Sequence, residues 1–239
     1  MILVTGYLGF IGPYLIEQLK ARGFDVIGID LKEGKNILSC DLPEADVVIH
    51  LAAQPGVVYS MEDPVHTVNT NITGTVRLLH HYKNAKFIFA SSGGTIQETI
   101  ECPYGLSKFC GEEFVKLMSD NYVILRFANV YGKNSRSVID KFHKDDKVVI
   151  YGDGSAMRTY VFIDDLVRGI IQSIGWDKGT YHFGSDQNYT VQEIADLIGK
   201  PITYEGWRKG ELKNATLKNT TPDWNPIMDV KEYVKGLGQ

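Results

Sequence analysis

Short apolar runs alternate with helical patterns along most of the chain. This alternation is typical of βαβ units that build a parallel sheet. It predicts strands at Ile2–Thr5, Asp25–Asp30, Val47–Leu51, Lys86–Ala90, Tyr122–Phe127 and Thr180–Phe183. It predicts helices at Ile11–Arg22, Pro64–Tyr82, Tyr104–Ser119, Ile163–Ile174 and Val191–Ile198. Residues 36–46 are too few for a crossover helix, so a loop is expected there. The predicted fold class is α/β, with a doubly wound parallel sheet.

The pattern becomes polar and irregular after Gly132. Glycine and proline residues interrupt it repeatedly, at Gly152, Gly154, Pro201, Pro222 and Pro226. We therefore expect a small C-terminal lobe that is interleaved with the last elements of the core. In this interpretation residues 1–132 and 159–183 form the sheet domain, and residues 133–158 and 184–239 form the small lobe.

A glycine-rich turn follows the first predicted strand, with glycines at Gly6, Gly9 and Gly12. A strand that ends in such a turn and opens a helix directs backbone N–H groups at an anion, and glycine lets a pyrophosphate approach the backbone closely. Pro13 suits the first turn of the helix, where its missing N–H has no partner to lose. An isolated glycine pattern is also compatible with an ordinary strand-to-helix turn.

Asp30 ends the second predicted strand, at roughly the 20-residue distance where an acidic side chain meets the ribose hydroxyls of an adenosine. A carboxylate there accepts hydrogen bonds from a free 2′-hydroxyl and repels a 2′-phosphate. The pair of motifs therefore predicts a dinucleotide site that favours NAD over NADP. Lys32 is a basic residue close to Asp30 and would favour NADP, but we interpret it as a solvated loop lysine.

Tyr104 and Lys108 are one helical turn apart in a predicted helix. A free tyrosine has a pKa near ~10 and is a poor base at neutral pH. A lysine ammonium one turn away and the positive nicotinamide of an oxidised cofactor both favour the phenolate. The same spacing also occurs in ordinary surface helices. Ser92 follows the fourth strand, at the edge where open α/β sheets bind ligands.

The composition limits the class of protein. A chain of 239 residues with 44% hydrophobic content can bury one large domain with a small lobe. It has no apolar stretch near the roughly 20 residues that span a bilayer, and no basic-then-apolar leader, so a soluble cytoplasmic protein is expected. The three cysteines and the histidines, including His80 and His81, lack metal-ligand spacing, so we expect no metal site or disulfide framework, and we interpret the histidines as helix-surface residues. The net charge of −4 gives no basic footprint for nucleic acid.

The ordered motifs of the chain resemble the extended short-chain dehydrogenase/reductase family. The resemblance is to its NAD-dependent nucleotide-sugar epimerases and dehydratases, especially the UDP-galactose (UDP-glucose) 4-epimerase-like branch, and it covers nearly the whole chain. The motifs are VTGYLGFIG, Asp30, CDL, HLAAQ, NTNITGT, ASS, YGLSK, LRFANVYG, YGDGSAMRTYVFIDDL and WRKGE. The family likeness implies a Rossmann-type sheet domain that binds NAD and a small, trimmed lobe that binds the substrate.

The resemblance also implies roles for individual residues at the cofactor. The implied contacts are Gly6, Gly9, Phe10, Ile11, Gly12, Asp30, Asp41, Leu42, Leu51, Ala52, Ala53, Asn71, Tyr104, Lys108 and Phe127. Phe10 and Ile11 would cover the pyrophosphate, and Asp41 with Leu42 would flank the adenine. Other interpretations stay open for several of them: an exposed loop acid for Asp41, strand-end packing for the two alanines and a helix-surface position for Asn71.

On the substrate side the resemblance implies contacts from Ser92, Asn129, Arg158 and Arg208. Asn129 and Arg158 would meet the diphosphate of a nucleotide sugar, and Arg208 would be a second clamp. Arginine suits this role because its planar guanidinium satisfies two phosphate oxygens at once. A surface salt bridge is the alternative for Arg208.

Two features depart from the family pattern. The connection from Ser92 to Tyr104 is short, so part of the wall on the substrate side is expected to be missing. Gly93 and Gly94 stand where related sugar dehydratases carry an acidic pair, and glycines cannot eliminate water, so dehydratase activity is disfavoured.

The resulting functional prediction is epimerisation at C4 of a nucleotide-diphosphate sugar. Ser92, Tyr104 and Lys108 would be the catalytic residues, with transient hydride transfer to NAD and a 4-keto intermediate that receives the hydride on its other face. The alternatives are a ketosugar reductase or dehydrogenase that releases its cofactor, and a non-catalytic NAD-binding regulatory module. We also expect a homodimer, formed by the helices at Pro64–Tyr82 and Tyr104–Ser119, although Val68, Ile72, Leu79 and Val115 could instead pack inward.

Overall fold

A computed structural model describes residues 1–96 and 100–237 of the chain. Its strands, in chain order, are β1 (Ile2–Thr5), β2 (Val26–Ile29), β3 (Val47–His50), β4 (Lys86–Ser92), β5 (Tyr122–Phe127), β6 (Asn129–Tyr131), β7 (Val148–Tyr151), β8 (Met157–Phe162), β9 (Gly179–Phe183), β10 (Asn188–Thr190), β11 (Ile202–Glu205) and β12 (Asn214–Ala215). Its helices are α1 (Ile11–Ala21), α2 (Val57–Glu62), α3 (Pro64–Val68), α4 (Gly74–His81), α5 (Pro103–Met118), α6 (Val138–Lys144), α7 (Ile163–Gln172), α8 (Val191–Ile198) and α9 (Val230–Leu237).

Six strands form one parallel sheet in the order β2-β1-β3-β4-β5-β9. Alternate residues of these strands face opposite sides, as Val4 and Leu3 do in β1, and each side has its own buried apolar cluster. Helices α1 and α7 cover the side of Val4, while α4 and α5 cover the side of Leu3. Helices on both faces make the sheet doubly wound and of the Rossmann type, which confirms the predicted fold class.

The six predicted strands and the helices of the sheet domain are present, with ends that differ by one or two residues. The helix expected at Pro64–Tyr82 is divided. Asp63 caps α3 by accepting from the His66 N–H at 2.9 Å, and a π-helical turn at Asn69–Thr73 joins α3 to α4. Residues 36–46 contain no helix, as the short connection predicted.

The region after Gly132 is more ordered than its polar sequence suggested. Strands β8, β10, β12 and β6 form a second sheet, and β7 pairs with β11. A separate apolar cluster joins α6, α8 and α9, with Phe142, Ile194 and Val234 among its buried members. The sequence pattern missed most of these elements because they are short and their order depends on this shared cluster.

The C-terminal segment is anchored to the sheet domain at helix α7. The indole N–H of the fully buried Trp224 donates to the Asp165 carbonyl at 2.9 Å. The Asp165 carboxylate accepts from the N–H groups of Ile227 and Met228 at 2.8 and 2.9 Å. These bonds fix the small lobe where its loops reach the carboxyl edge of the sheet.

No helix within the described ranges combines the length and the apolar character that crossing a membrane requires.

Candidate active site

The glycine turn after β1 requires its glycines for two physical reasons. Gly6 has a φ of +74°, and a Cβ there would lie 2.6 Å from the backbone nitrogen of Ala52. A Cβ on Gly12 would lie 2.2 Å from the carbonyl oxygen of Tyr7. These close approaches bring the turn, the start of α1 and the end of β3 against one another, and we call the surface that these segments share the cofactor groove.

The middle of the turn is open. Gly9 is exposed, a Cβ there would approach only the Gly6 carbonyl oxygen at 3.1 Å, and no side chain caps the N-terminus of α1. The first N–H groups of this 11-residue helix are uncapped, and Gly9 has no side chain that would block access to them. Such N–H groups can hold a pyrophosphate. Phe10 and Ile11 lie half-buried at this helix start, where a cofactor role was expected for them.

Asp30 lies beside the glycine turn, buried directly after β2. Its carboxylate accepts from the N–H groups of Leu8 and Lys32, each at 2.9 Å. The Lys32 side chain is exposed, as expected, but its ammonium also donates to the Leu8 carbonyl at 2.7 Å. The turn therefore fixes the Asp30 carboxylate beside the glycine loop with Lys32 next to it, and its contact with a ribose stays a prediction.

The end of β3 lines the same groove. Leu51, Ala52 and Ala53 are half-buried, and the Ala52 N–H donates to the Thr5 hydroxyl at 3.3 Å. Asn71 is buried, and its amide bonds to the backbone of Gln54 at 2.7 and 3.1 Å and to the Ser107 hydroxyl at 2.9 Å. Asn71 thus ties the groove to α5, which differs from the open alternative of a helix-surface residue, and its contact with the cofactor stays a prediction.

The remaining predicted cofactor residues lie in different surroundings. Asp41 is exposed and Leu42 is half-buried in the loop before β3. Phe127 is buried at the end of β5, where its ring stacks on Phe183 with centroids 5.9 Å apart. The structure places all three at the carboxyl side of the sheet or in its loops, and their roles stay predictions.

Tyr104 and Ser92 form the centre of the candidate site. Cys102 caps α5 through its sulfur, which accepts from the Gly105 N–H at 3.4 Å, and Pro103 is the first helical residue. This cap begins the helix just before Tyr104, whose phenol hydrogen-bonds Ser92. Burial raises the pKa of Tyr104 to about 12, although the Ser92 hydrogen bond acts to lower it. The protein groups around it thus favour the neutral phenol.

Lys108 is buried one turn further along α5. Its ammonium donates to the Ala90 carbonyl at 2.8 Å and lies 5.0 Å from the centre of the Phe89 ring. Burial lowers the pKa of Lys108 to about 8, and the carboxylate of Glu112 acts in the opposite direction. Near neutral pH the lysine therefore holds a proton that small changes in its surroundings can remove.

Two arginines meet at one carboxylate in the small lobe. Arg208 makes a bidentate pair with Glu211 at 2.8 and 3.0 Å, and Arg158 reaches the same carboxylate at 3.4 Å. Arg158 also donates to the Leu212 carbonyl at 2.6 Å. Arg208 is therefore in a salt bridge, the alternative left open for it, and the same bridge holds it next to Arg158.

The loop that carries Arg208 and Glu211 packs against the start of α5. A Cβ on Gly210 would lie 3.3 Å from the Glu101 carbonyl oxygen, and one on Gly93 would lie 3.4 Å from a methyl carbon of Leu217. Asn129 is exposed at the start of β6, and its amide donates to the Thr159 carbonyl of β8 at 3.1 Å. The small lobe thus reaches the edge where β4 ends and α5 begins.

Several polar residues at this edge were missed by the sequence interpretation. Glu211 belongs to the WRKGE motif, from which only Arg208 received a role. Glu112 and Arg126 form a buried ion pair at 2.5 Å behind Ser92. Position 112 continues the four-residue spacing of Tyr104 and Lys108, which was the available signal.

Two histidines do not lie on helix surfaces, where the sequence placed them. His50 and His182 lie on strands β3 and β9, and His50 is fully buried, so the helix-surface interpretation was wrong for both. His80 and His81 are exposed on α4, as expected. Among residues 1–96 and 100–237, no cluster of three His, Cys, Asp or Glu side chains could hold a metal ion.

Comparison with known sequences gives a consistent set of relatives. The model of the NAD dependent epimerase/dehydratase family matches residues 2–182. A putative UDP-glucose 4-epimerase of Methanocaldococcus jannaschii is 31% identical, with 98% of this chain and 96% of that protein covered. The UDP-glucose 4-epimerase of Mycolicibacterium smegmatis is 29% identical, with 97% and 95% covered. The first alignment extends over 293 positions, more than the 239 residues of this chain, so that relative has internal segments that are absent here.

Solved structures agree with the sequence comparison. UDP-glucose 4-epimerase of Thermotoga maritima, in a structure with UDP-glucose, superimposes with a TM-score of 0.84 at 28% identity. UDP-glucuronic acid 4-epimerase of Bacillus cereus, in complex with UDP-glucuronic acid and NAD, superimposes with a TM-score of 0.88 at 27% identity. Each superposition covers 98% of this chain and 96% of the other.

Proposed function

Because the chain belongs to the NAD-dependent epimerase/dehydratase family, we propose that it is an NAD-dependent enzyme that inverts C4 of a nucleotide-diphosphate sugar. The observation that carries this proposal is the hydrogen-bonded pair of Ser92 and Tyr104 at the carboxyl end of β4, with Lys108 buried one turn away. The relatives that are named for UDP-sugars favour UDP as the nucleotide.

The glycine turn, the start of α1 and Asp30 fit NAD, since together they offer backbone N–H groups to a pyrophosphate and a carboxylate to a ribose. When bound, NAD supplies the acceptor and donor for the hydrogen at C4 and a positive charge that favours a nearby phenolate. Tyr104 removes the proton of the sugar 4-hydroxyl and later returns it. Ser92 hydrogen-bonds both the phenol and the reacting oxygen, and Lys108 holds a positive charge beneath the cofactor groove.

Arg158 and Arg208 hold the diphosphate of the substrate in this proposal. Their guanidinium groups both contact the Glu211 carboxylate, and this convergence on one anion supports the proposal. Asn129 lies exposed beside β8 and contacts the same part of the substrate. The cluster of α6, α8 and α9 supports residues 133–158 and 184–239 as the substrate lobe.

The alternatives differ in what the protein does with its cofactor. A ketosugar reductase would consume NADH or NADPH, and a regulatory module would bind NAD without turnover. Gly93 and Gly94 form a short 3₁₀ turn after β4 and offer no acidic side chain, which speaks against a dehydratase.

The deciding experiment offers the purified protein a panel of UDP-, GDP- and dTDP-sugars without added cofactor, and follows C4 inversion by proton NMR. Inversion without added NAD supports the epimerase. Product that forms only with stoichiometric NADH or NADPH identifies a reductase instead. NAD binding without turnover of any sugar on the panel identifies the binding module.

We also propose a homodimer built on α3, α4 and α5. Leu79 and Val115 pack inward, but five apolar side chains on these helices are exposed: Val65, Val68, Leu106, Phe109 and Leu117. Between the helices is an apolar groove of about 370 Å³, lined in part by Met61, Ile72 and Cys110. A second copy of the chain would cover this face.

Light scattering at micromolar concentration tests the assembly. The parent should show twice the mass of one chain, and Leu106→Glu should shift the mass toward one chain because it places a charge in the apolar face. Ile227→Glu, at an exposed apolar position outside these helices, is the matched control. A parent that has the mass of one chain contradicts the dimer.

The expected cytoplasmic location stays a prediction.

A further inference from the structure

Glu112 is a buried carboxylate for which the proposed reaction has no direct use. Its side chain has no exposed surface, and it accepts from Arg126 Nε at 2.9 Å and from a terminal nitrogen of Arg126 at 2.5 Å. It also accepts from the Ser91 hydroxyl at 2.5 Å and lies 3.1 Å from the Thr95 hydroxyl. Burying an ion is unfavourable unless its partners are well placed, and apolar packing is often as stable as a buried ion pair.

The polar side chains around Glu112 include residues of three neighbouring strands, of which Ser91 and Arg126 bond to it directly. Ser91, Arg126 and His182 are in register across β4, β5 and β9, so they form a polar row on the face that α5 covers. Arg126 also lies 3.3 Å from His182 Nε2, and burial lowers the pKa of that imidazole, so the neutral ring can accept from the arginine. The row ties the carboxyl ends of three strands to one side chain of the helix.

The same carboxylate holds the residues on either side of Ser92. Ser91 precedes Ser92 and bonds to Glu112 directly. The Thr95 hydroxyl lies 2.8 Å from the Ser92 carbonyl oxygen and within reach of Glu112. On the helix, Tyr104, Lys108 and Glu112 are spaced by four residues and share one face.

We propose that Glu112 is a positioning residue: its carboxylate fixes the end of β4, which carries Ser92, against the face of α5 that carries Tyr104 and Lys108. The inference rests on the proposed function, because it assigns to Glu112 the geometry of that reaction's proton-transfer pair. A displacement of about 1 Å between reacting groups can cost roughly 100-fold in rate, so a clamp at this point has a large effect on turnover.

The charge of Glu112 also acts on Lys108. On α5, Tyr104 and Glu112 are one helical turn to either side of Lys108. His50 of β3 interacts with the lysine electrostatically, while β4 contributes the Ala90 carbonyl and the Phe89 ring. Burial lowers the pKa of Lys108, and Glu112 is the carboxylate that opposes this effect. Removal of its charge should therefore let Lys108 lose its proton at a lower pH.

The test compares Glu112→Gln with Glu113→Gln. Glu113 is the next residue of the same helix, and its carboxylate makes an exposed ion pair with Lys116 at 2.6 Å. In Glu112→Gln we expect kcat to fall by roughly 10-fold to 100-fold with little change in KM. The alkaline limb of the kcat profile should move to lower pH. Glu113→Gln should match the parent in all three.

A second readout does not depend on turnover. In protein labelled with ¹³C at lysine Cε, the Lys108 signal, assigned with Lys108→Met, should titrate at lower pH in Glu112→Gln than in the parent or Glu113→Gln. A purely structural role would lower the melting temperature without this shift. An unchanged kcat and an unchanged Lys108 titration in folded Glu112→Gln overturn the proposal.

Ser91→Ala covers the case in which Glu112→Gln does not fold. It removes one bond of the clamp and keeps the charge, so kcat should fall while the Lys108 titration stays in place. A parent-like kcat in Ser91→Ala also overturns the proposal. A parent protein that inverts no sugar contradicts the proposed function itself, and the Lys108 titration then still tests the link between Glu112 and Lys108.

Discussion

Protonation of His50 should make the protein markedly less stable in mild acid. The imidazole is 1% exposed and lies between two hydroxyls, with Thr5 Oγ1 2.7 Å from Nδ1 and Thr75 Oγ1 2.9 Å from Nε2. Thr75 donates its own proton to the Asn71 carbonyl, so it can accept from Nε2–H, and the network assigns the neutral ring with a bare Nδ1. Burial lowers the pKa of His50 from 6.5 to about 3, and the positive charge of Lys108 acts in the same direction.

The size of the stability loss follows from the linkage between protonation of His50 and unfolding. Since the folded pKa lies below the unfolded one, the stability contribution is complete above pH 6.5 and is lost as the pH falls toward 3. At 1.36 kcal/mol per pKa unit, the full loss is about 5 kcal/mol, and about 2 kcal/mol of it is lost by pH 5. This loss of about 2 kcal/mol occurs at a higher pH than the titration of most carboxylates, so the contribution of His50 can be measured separately from theirs.

Urea unfolding at pH 7 and pH 5 provides the measurement. Gln can replace both hydrogen bonds of the imidazole but does not titrate, so His50→Gln should lose about 2 kcal/mol less than the parent between the two pH values. His81→Gln, at an exposed position on α4, should behave like the parent. Equal losses in the parent and in His50→Gln would refute the reasoning.

Three further predictions concern the cofactor groove and the proton-transfer residues. Tyr104→Phe should bind NAD and lose roughly 10²–10⁴-fold in kcat, whereas Lys108→Met should lose both turnover and NAD affinity; full activity of Tyr104→Phe would remove Tyr104 as the base. Gly28→Ala should lower the free energy of unfolding by roughly 1–3 kcal/mol, because its Cβ would lie 2.4 Å from the Tyr7 ring, and the loss should disappear in a Tyr7→Gly background. Calorimetric titration should show tighter binding of NAD than of NADP because of Asp30, and equal affinities would point to Lys32.

The features that are fixed by residues close together in the sequence could be predicted from the sequence alone. The turn at Gly6, Gly9 and Gly12 is local, since a positive φ at Gly6 and the close approach of Gly12 to Tyr7 each admit only glycine. The strands of the central sheet are buried on both faces, so they appear as continuous apolar runs. The spacing of Tyr104 and Lys108 is fixed by the helix that contains both.

The parts that depend on contacts between distant segments were decided only by the tertiary structure. Glu112 meets Ser91 across 21 positions and Arg126 across 14, and Arg158 meets Glu211 across 53. The four-residue spacing points to Glu112 but not to its partners, because each partner alone is compatible with a solvated surface position. The short strands of the small lobe also have no clear sequence pattern, since their apolar residues are buried only after the lobe has assembled. The sequence by itself therefore determined the fold and the spacing of Tyr104 and Lys108. The contacts of Glu112 behind Ser92 and the pairing of the arginines required the folded chain, because burial and charge pairing are properties of its packing.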